Sequence, residues 1–195
     1  KTQIKLFVLE ILDVFLKENI MSLPFGLKPL FLGGAAADGI GLLLHIVGTA
    51  TKSWSTGVTI FGDMTFGLLQ YCGINCFDYS DVAIDIPPEQ KASAAMAILG
   101  VILAVFAVLV AGVVVVKPNS EMLVKVSGGL SLAAFLTTII AVIIWGAKAK
   151  DEINKIFPSP LDLKIGFSLG LSAAGAVLLL IGGICMMLTK SRNNT

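Results

Sequence analysis

"ASAAMAILGVILAVFAVLVAGVVVV", Ala92–Val116, contains no charged residue. A helix rises 1.5 Å per residue, so about 20 apolar residues cross a hydrocarbon core of about 30 Å. The run is long enough to span a bilayer, and nothing in it resists burial in lipid. Two further uncharged runs, Val126–Gly146 and Ile165–Leu188, follow it. A fourth, Leu30–Ala50, precedes it and carries Asp38 and His45. The chain of 195 residues is 56% hydrophobic and 14% charged, against about a quarter charged in an ordinary soluble domain. The sequence therefore predicts an all-α integral membrane protein, a left-handed four-helix transmembrane bundle spanning residues 30–190. Its formal net charge of +1 gives no basic field, so nucleic acid is excluded as a partner and the lipid bilayer is the first one implied.

Four spans return both termini to one side, with loops at 51–91 and 147–164 on the other. Lys1, Lys5, Lys17, Lys28, Lys117, Lys125, Lys190 and Arg192 lie in the terminal and middle segments, against Lys52, Lys91, Lys148, Lys150, Lys155 and Lys164 in the two loops. The excess predicts cytoplasmic termini, including a short tail at 191–195. Residues 1–29 mix apolar side chains with Lys5, Glu10, Asp13, Lys17 and Glu18. They read as an interfacial helix, an upstream extension of other origin being the alternative, with Met21 a natural start. Trp145, where the third run gives way to charged residues, reads as an interfacial anchor.

The long loop contains "GVTIFGDMTFGLLQYCGINCFDY", β-branched and aromatic residues broken at Gly62-Asp63 and Gly73, which predicts a small antiparallel sheet joined by part of the second loop. Cys72 and Cys76 fall inside it. A zinc site needs two more ligands, and the loop has no other Cys and no His. A thioredoxin-type pair has two intervening residues and opens a helix, so the redox reading fits poorly as well. With the sheet outside the cell, a structural disulfide is favoured. It requires the chain to turn between the cysteines, a task suited to Gly73 and Asn75. Pro87, Pro88 and Glu89 mark the start of the second helix, ahead of the apolar run.

His45 is the only histidine, so no histidine-based triad or zinc helix can be assembled and neither an enzyme, a cofactor nor a metal site is expected. Asp38 and His45, seven residues apart, share a helix face about 10 Å apart along the axis. They cannot touch, and the expectation is that neighbouring helices satisfy them. The first loop is acidic through Asp63, Asp78, Asp81, Asp85 and Glu89, which reads either as an ordinary solvated loop or as a lining that favours cations. Gly128 and Gly129, and Gly166 and Gly170, are candidate helix-packing positions, against a neighbouring helix or a partner in the same membrane.

Trp54 after the first span, Gly67-Leu68-Leu69, then Cys72 and Cys76, then the passage through "DIPPEQKASAAM" into the second helix together resemble the superfamily of claudins, peripheral myelin protein, epithelial membrane proteins and calcium-channel gamma subunits. The resemblance covers about residues 27–190. In that family a Trp, a Gly-Leu-Trp and two cysteines occupy the long first extracellular loop. Here Leu69 stands in place of the second Trp, the cysteine interval is short, and Ser93 falls where many members carry an Arg, which makes the chain most similar to divergent invertebrate claudin-like proteins. The resemblance implies a structural role for Trp54, Gly67, Leu68 and Leu69 near the membrane surface. It also implies a plasma-membrane protein of tight or septate junctions that self-associates side by side and across the intercellular space, with Asp63, Asp78, Asp81 and Asp85 as ion-selectivity charges. The other role it offers is an accessory subunit bound to a larger channel or receptor.

Overall fold

The computed structural model describes residues 29–59, 62–73, 75–79, 87–117, 120–149, 151–152 and 163–189. The N-terminal segment, Asp81, Asp85 and the tail lie outside them. Four helices are long and apolar enough to cross a membrane: α1 (Pro29–Ala50), α2 (Pro88–Val116), α3 (Glu121–Ile144) and α4 (Phe167–Leu188). α2 starts with Pro88 in its first turn, before the uncharged run begins. Ser120 caps α3 by accepting a hydrogen bond from the Leu123 N–H, so that helix begins earlier than the apolar run at Val126. A widened turn, Trp145–Ala149, extends its far end.

What packs the helices is the spacing of their buried residues. On α2 these are Gln90, Ser93, Ala97, Gly100, Ala104, Ala107, Ala111 and Val114, alternating steps of three and four. α1 repeats the pattern with Phe31, Gly34, Asp38, Gly41, His45 and Gly48, and α3 with Val124, Ser127, Ser131, Ala134, Thr138 and Ala141. α4 follows with Ser168, Ser172, Gly175, Leu179, Gly182 and Met186. Alternate threes and fours average 3.5 residues, short of the 3.6 of a straight helix, so a seam kept in register over this length winds left-handed. α1 packs most extensively on α4, α2 on α3 and α3 on α4, with α1 and α2 in lighter contact.

The α1–α4 interface is closed by glycine. Gly34 and Gly41 face Gly182 and Gly175 so closely that a Cβ at Gly175 would stand 2.7 Å from the Gly41 carbonyl oxygen, and one at Gly182 2.7 Å from that of Gly34. Lipid is as apolar as Leu, so these contacts gain from close approach rather than from leaving water. Gly128 packs against Gly183 and Met187 in the same way, at the α3–α4 interface. Gly129 and Gly170, by contrast, have nothing within 4 Å of where a Cβ would stand, and Gly166 precedes α4 rather than lying in it. Gly128 thus packs against a neighbouring helix, whereas Gly129 and Gly170 face outward, which leaves them the other expectation, a partner in the same membrane.

At one end of the bundle sits a five-stranded antiparallel sheet in the order β4-β3-β2-β1-β5. β1 (Ser55–Thr59) pairs with β2 (Gly62–Phe66), β2 with β3 (Gln70–Cys72), and β3 with β4 (Cys76–Asp78). β5 (Lys164–Ile165), from the second loop, pairs with β1 through Ser55–Ile165 and Thr56–Lys164. Gly62 takes φ of +113° at the start of β2, a backbone angle that side-chain-bearing residues rarely adopt.

Candidate functional site

The sheet end is the part of the molecule that combines a fixed frame with an exposed surface. Its frame begins at Trp54, completely buried between the sheet and the bundle mouth. The indole N–H donates to the Gly48 carbonyl at 2.7 Å, capping the last turn of α1, while the Trp54 backbone N–H donates to Phe66 at 3.0 Å. Trp145 meets it edge to face at 5.4 Å and donates its own N–H to Ser55 Oγ at 2.9 Å. Trp145 is therefore no lipid-facing anchor. It is buried, and it ties the end of α3 to β1, because the widened turn that begins at Trp145 sets this side chain under the sheet. Nothing local in the sequence separates such an indole from an interfacial one.

Phe66, Leu68, Ala97, Ala141, Leu163 and Leu169 complete the core around the two indoles. Gly67 fits because its backbone runs against Lys52, where a Cβ would lie 2.8 Å from the Lys52 Cα. Leu69, in the place of the family's second Trp, is half exposed. The second loop is fastened by backbone bonds: Gly166 N–H donates to Trp54 at 2.9 Å and Ser168 N–H to Ser53 at 3.0 Å. A side chain at Gly166 would strike the Ser53 carbonyl, so the close approach there joins loop to loop. Ser168 Oγ also accepts from Thr51 Oγ1 at 2.7 Å and from Ser53 N–H at 3.2 Å. Ser93 donates to the Ala141 carbonyl at 2.9 Å and closes α2 on α3.

Cys72 and Cys76 form a disulfide between directly paired positions of β3 and β4, with Cα atoms 4.1 Å apart. Among the described residues the only positive φ is at Gly62, so neither Gly73 nor Asn75 reaches the turn through left-handed backbone. The turn is drawn tight by Gly73 N–H donating to the Asn75 carbonyl at 3.0 Å. The Cys72 side is buried and Cys76 is exposed, with Lys52 Nζ donating to its sulfur at 3.2 Å. Tyr71 stacks against Phe77 at 5.8 Å and Tyr79 at 5.5 Å. Burial pushes the Tyr79 phenol up to about 12, opposed by a hydrogen bond to the Gln90 side chain and aided by the neighbouring Tyr71.

Exposed on this frame are Asp63 at the β1–β2 hairpin, Asp78 on the edge strand β4, and the apolar side chains Val58, Leu69 and Phe77. Asp78 and Phe77 project from β4, which among the described residues is an edge strand of the sheet, the arrangement that pairs with another chain unless covered. No group of three or more His, Cys, Asp or Glu that could hold a metal occurs among the described residues.

Asp38 and His45 are both fully buried inside the bundle. Their partners lie on α3 at the same seven-residue interval. Asp38 Oδ1 is 2.5 Å from Ser131 Oγ, and His45 Nε2 is 3.0 Å from Thr138 Oγ1 and 3.1 Å from the Ala97 carbonyl. Gly100 makes the room, since a Cβ there would crowd both His45 and Thr138.

Residues 29–186 match the family described as PMP-22/EMP/MP20/Claudin. No individual curated protein matches the chain.

Proposed function

The chain belongs to the PMP-22/EMP/MP20/Claudin family, whose members are non-enzymatic membrane proteins, and from that premise we propose that it works at cell–cell junctions. In this reading both termini are cytoplasmic and the sheet is extracellular. Copies associate side by side in one plasma membrane and sheet to sheet across the intercellular space, sealing it or leaving an ion-selective path. One observation carries the reading: the sheet is locked to the bundle by the Trp54–Trp145 pair, while Val58 and Asp63 on the β1–β2 hairpin and the side chains of β4 stay exposed. A surface held this firmly can meet another without the entropic cost of first being ordered. The mechanism is steric exclusion, with Asp63, Asp78, Asp81 and Asp85 favouring cations over anions along any path left open. Lateral association would use the outward faces around Gly129 and Gly170.

Expression in an epithelial layer without endogenous junction strands tests this. Strands at cell contacts and a raised transepithelial resistance are expected, with Asp78→Asn plus Asp81→Asn shifting ion preference toward anions. Strands with an unchanged preference would remove the acidic lining from the mechanism. An unaltered resistance, with co-purification of one channel at fixed ratio, would replace the junction role by that of an accessory subunit.

A further inference from the structure

We infer that Asp38 is held as a neutral carboxylic acid, so that the bundle carries a bound proton where α1, α3 and α4 meet. Ser131 Oγ stands 2.5 Å from Asp38 Oδ1 and 3.1 Å from the Leu179 carbonyl oxygen. A serine hydroxyl has one hydrogen, and a carbonyl can only accept. If Ser131 donates to Leu179, the hydrogen between Ser131 and Asp38 belongs to Asp38. The result is a relay, Asp38 O–H to Ser131 Oγ and Ser131 O–H to Leu179, with every donor used.

The other assignment gives Ser131's hydrogen to Asp38 and leaves a carboxylate completely buried on one hydrogen bond, its Oδ2 unpartnered. An anion so placed needs a cation beside it. Among the described residues none faces it. α2 contributes Ala104, Ala107 and Ala111 to the interior. The nearest base on α3, Lys125, is exposed and paired with Glu121 at 2.8 Å. α4 contributes the partly buried thiol of Cys185. On α1 itself His45 lies seven residues on, about 10 Å along the axis, too far to pair. Its ring is engaged elsewhere: Nε2–H donates to the Ala97 carbonyl at 3.1 Å, and Nδ1 stands 3.5 Å from Thr49 Oγ1. A neutral acid also accounts for the unpartnered Oδ2, because an unbonded carbonyl oxygen is far cheaper to bury than an unbonded anionic one. Gly182 packs directly on this carboxyl at Oδ1.

Infrared spectroscopy of the protein in lipid bilayers tests the proton directly. At neutral pH the wild type should show the C=O stretch of a protonated carboxylic acid that moves on carboxyl-13C aspartate labelling. The band should vanish in Asp38→Asn, persist in His45→Gln and move to higher frequency in Ser131→Ala, where its hydrogen-bond partner is gone. Indistinguishable wild-type and Asp38→Asn spectra in that region would overturn the inference. Unfolding supplies a second readout, since the Asn amide can donate to Ser131 as the acid does. Asp38→Asn should stay within a few-fold of wild type in its unfolding constant, and wild type should not respond to replacing sodium by choline. A sodium requirement abolished by Asp38→Asn would overturn the proton in favour of an alkali cation.

Discussion

Replacing Gly175 by Ala adds one methyl group at one of the two closest backbone contacts between α1 and α4. The new Cβ would stand 2.7 Å from the Gly41 carbonyl oxygen, 3.0 Å from His45 N and 3.2 Å from His45 Cβ. Ordinary contact begins at 3.4 Å, so the methyl is about 0.7 Å too close to a carbonyl that cannot rotate away. Relief requires α1 and α4 to part along a seam that Gly34, Gly41, Gly182 and Gly175 keep closed, and overpacking of this kind costs about 1–3 kcal/mol. Against it, Ala in a helix is favoured over Gly by about 0.5–1 kcal/mol. The net expectation is destabilisation of about 1–2 kcal/mol. Gly39→Ala is the control, because nothing lies within 4 Å of its Cβ position and only the propensity gain remains. The two variants should differ by about 2 kcal/mol, about thirty-fold in the unfolding constant. Titration of micelles with a denaturing detergent, followed by helical circular dichroism, measures the difference. Gly175→Ala at least as stable as Gly39→Ala would refute the claim that close glycine contact holds α1 to α4.

Three other outcomes follow from the cap. Trp145→Phe keeps a ring against Trp54 but leaves Ser55 Oγ without its donor, for a loss of about 1 kcal/mol, whereas Trp145→Ala should cost about 3–5 kcal/mol in the same titration; equal losses would deny the ring its packing role. Removing the disulfide by Cys72→Ser and Cys76→Ser opens a ring across a sequence separation of 4, worth about 2 kcal/mol on loop entropy, and hydrogen exchange should rise in β3 and β4 while the helices stay protected. In a Tyr71→Phe background, Tyr79 is the remaining tyrosine, and its ultraviolet titration should still centre above the ordinary 10.0, because burial, the largest cause of the shift, is kept while the smaller contribution of Tyr71 is lost. Its folded value is raised, so the stability it contributes is complete below about pH 10 and lost as pH rises toward 12; unfolding midpoints flat across that window would contradict its burial.

The spans, the sheet and the disulfide were legible because each has a local cause. Charge-free length marks a span, β-branched residues between Gly breaks mark short strands, and a lone cysteine pair lacking further ligands points to a disulfide. The pairing of β5 with β1 was visible only as an expectation that the second loop would join the sheet. Trp145 was misread, because a Trp at the end of an apolar run looks the same whether it turns toward lipid or under a sheet. What decides is the sheet lying over the end of α3, with Trp54 and Ser55 opposite the indole, and that is a tertiary fact.

Which face of each helix turns inward has a mark of its own in the residues, different from the one that serves for soluble proteins. Hydrophobicity cannot mark the seam here, since Leu43 and Leu109 point outward as readily as Leu179 points inward. Size and polarity can. Ser93, Ala97, Gly100, Ala104, Ala107 and Ala111 repeat at threes and fours through α2, and Ser127, Ser131, Ala134, Thr138 and Ala141 do so through α3. Short side chains let the backbones approach, and the hydroxyls among them find carbonyls across the gap, Ser93 on Ala141 and Ser127 on Ala107, each at 2.9 Å. Gly129 and Gly170 break that rhythm: each stands two residues from the seam positions on either side, Ser127 and Ser131 or Ser168 and Ser172, and so faces outward. Asp38 and His45 keep the rhythm, in step with Gly34, Gly41 and Gly48. Their place in that seam, seven apart opposite Ser131 and Thr138, also seven apart, is what makes them internal joints of the bundle rather than polar groups stranded in lipid.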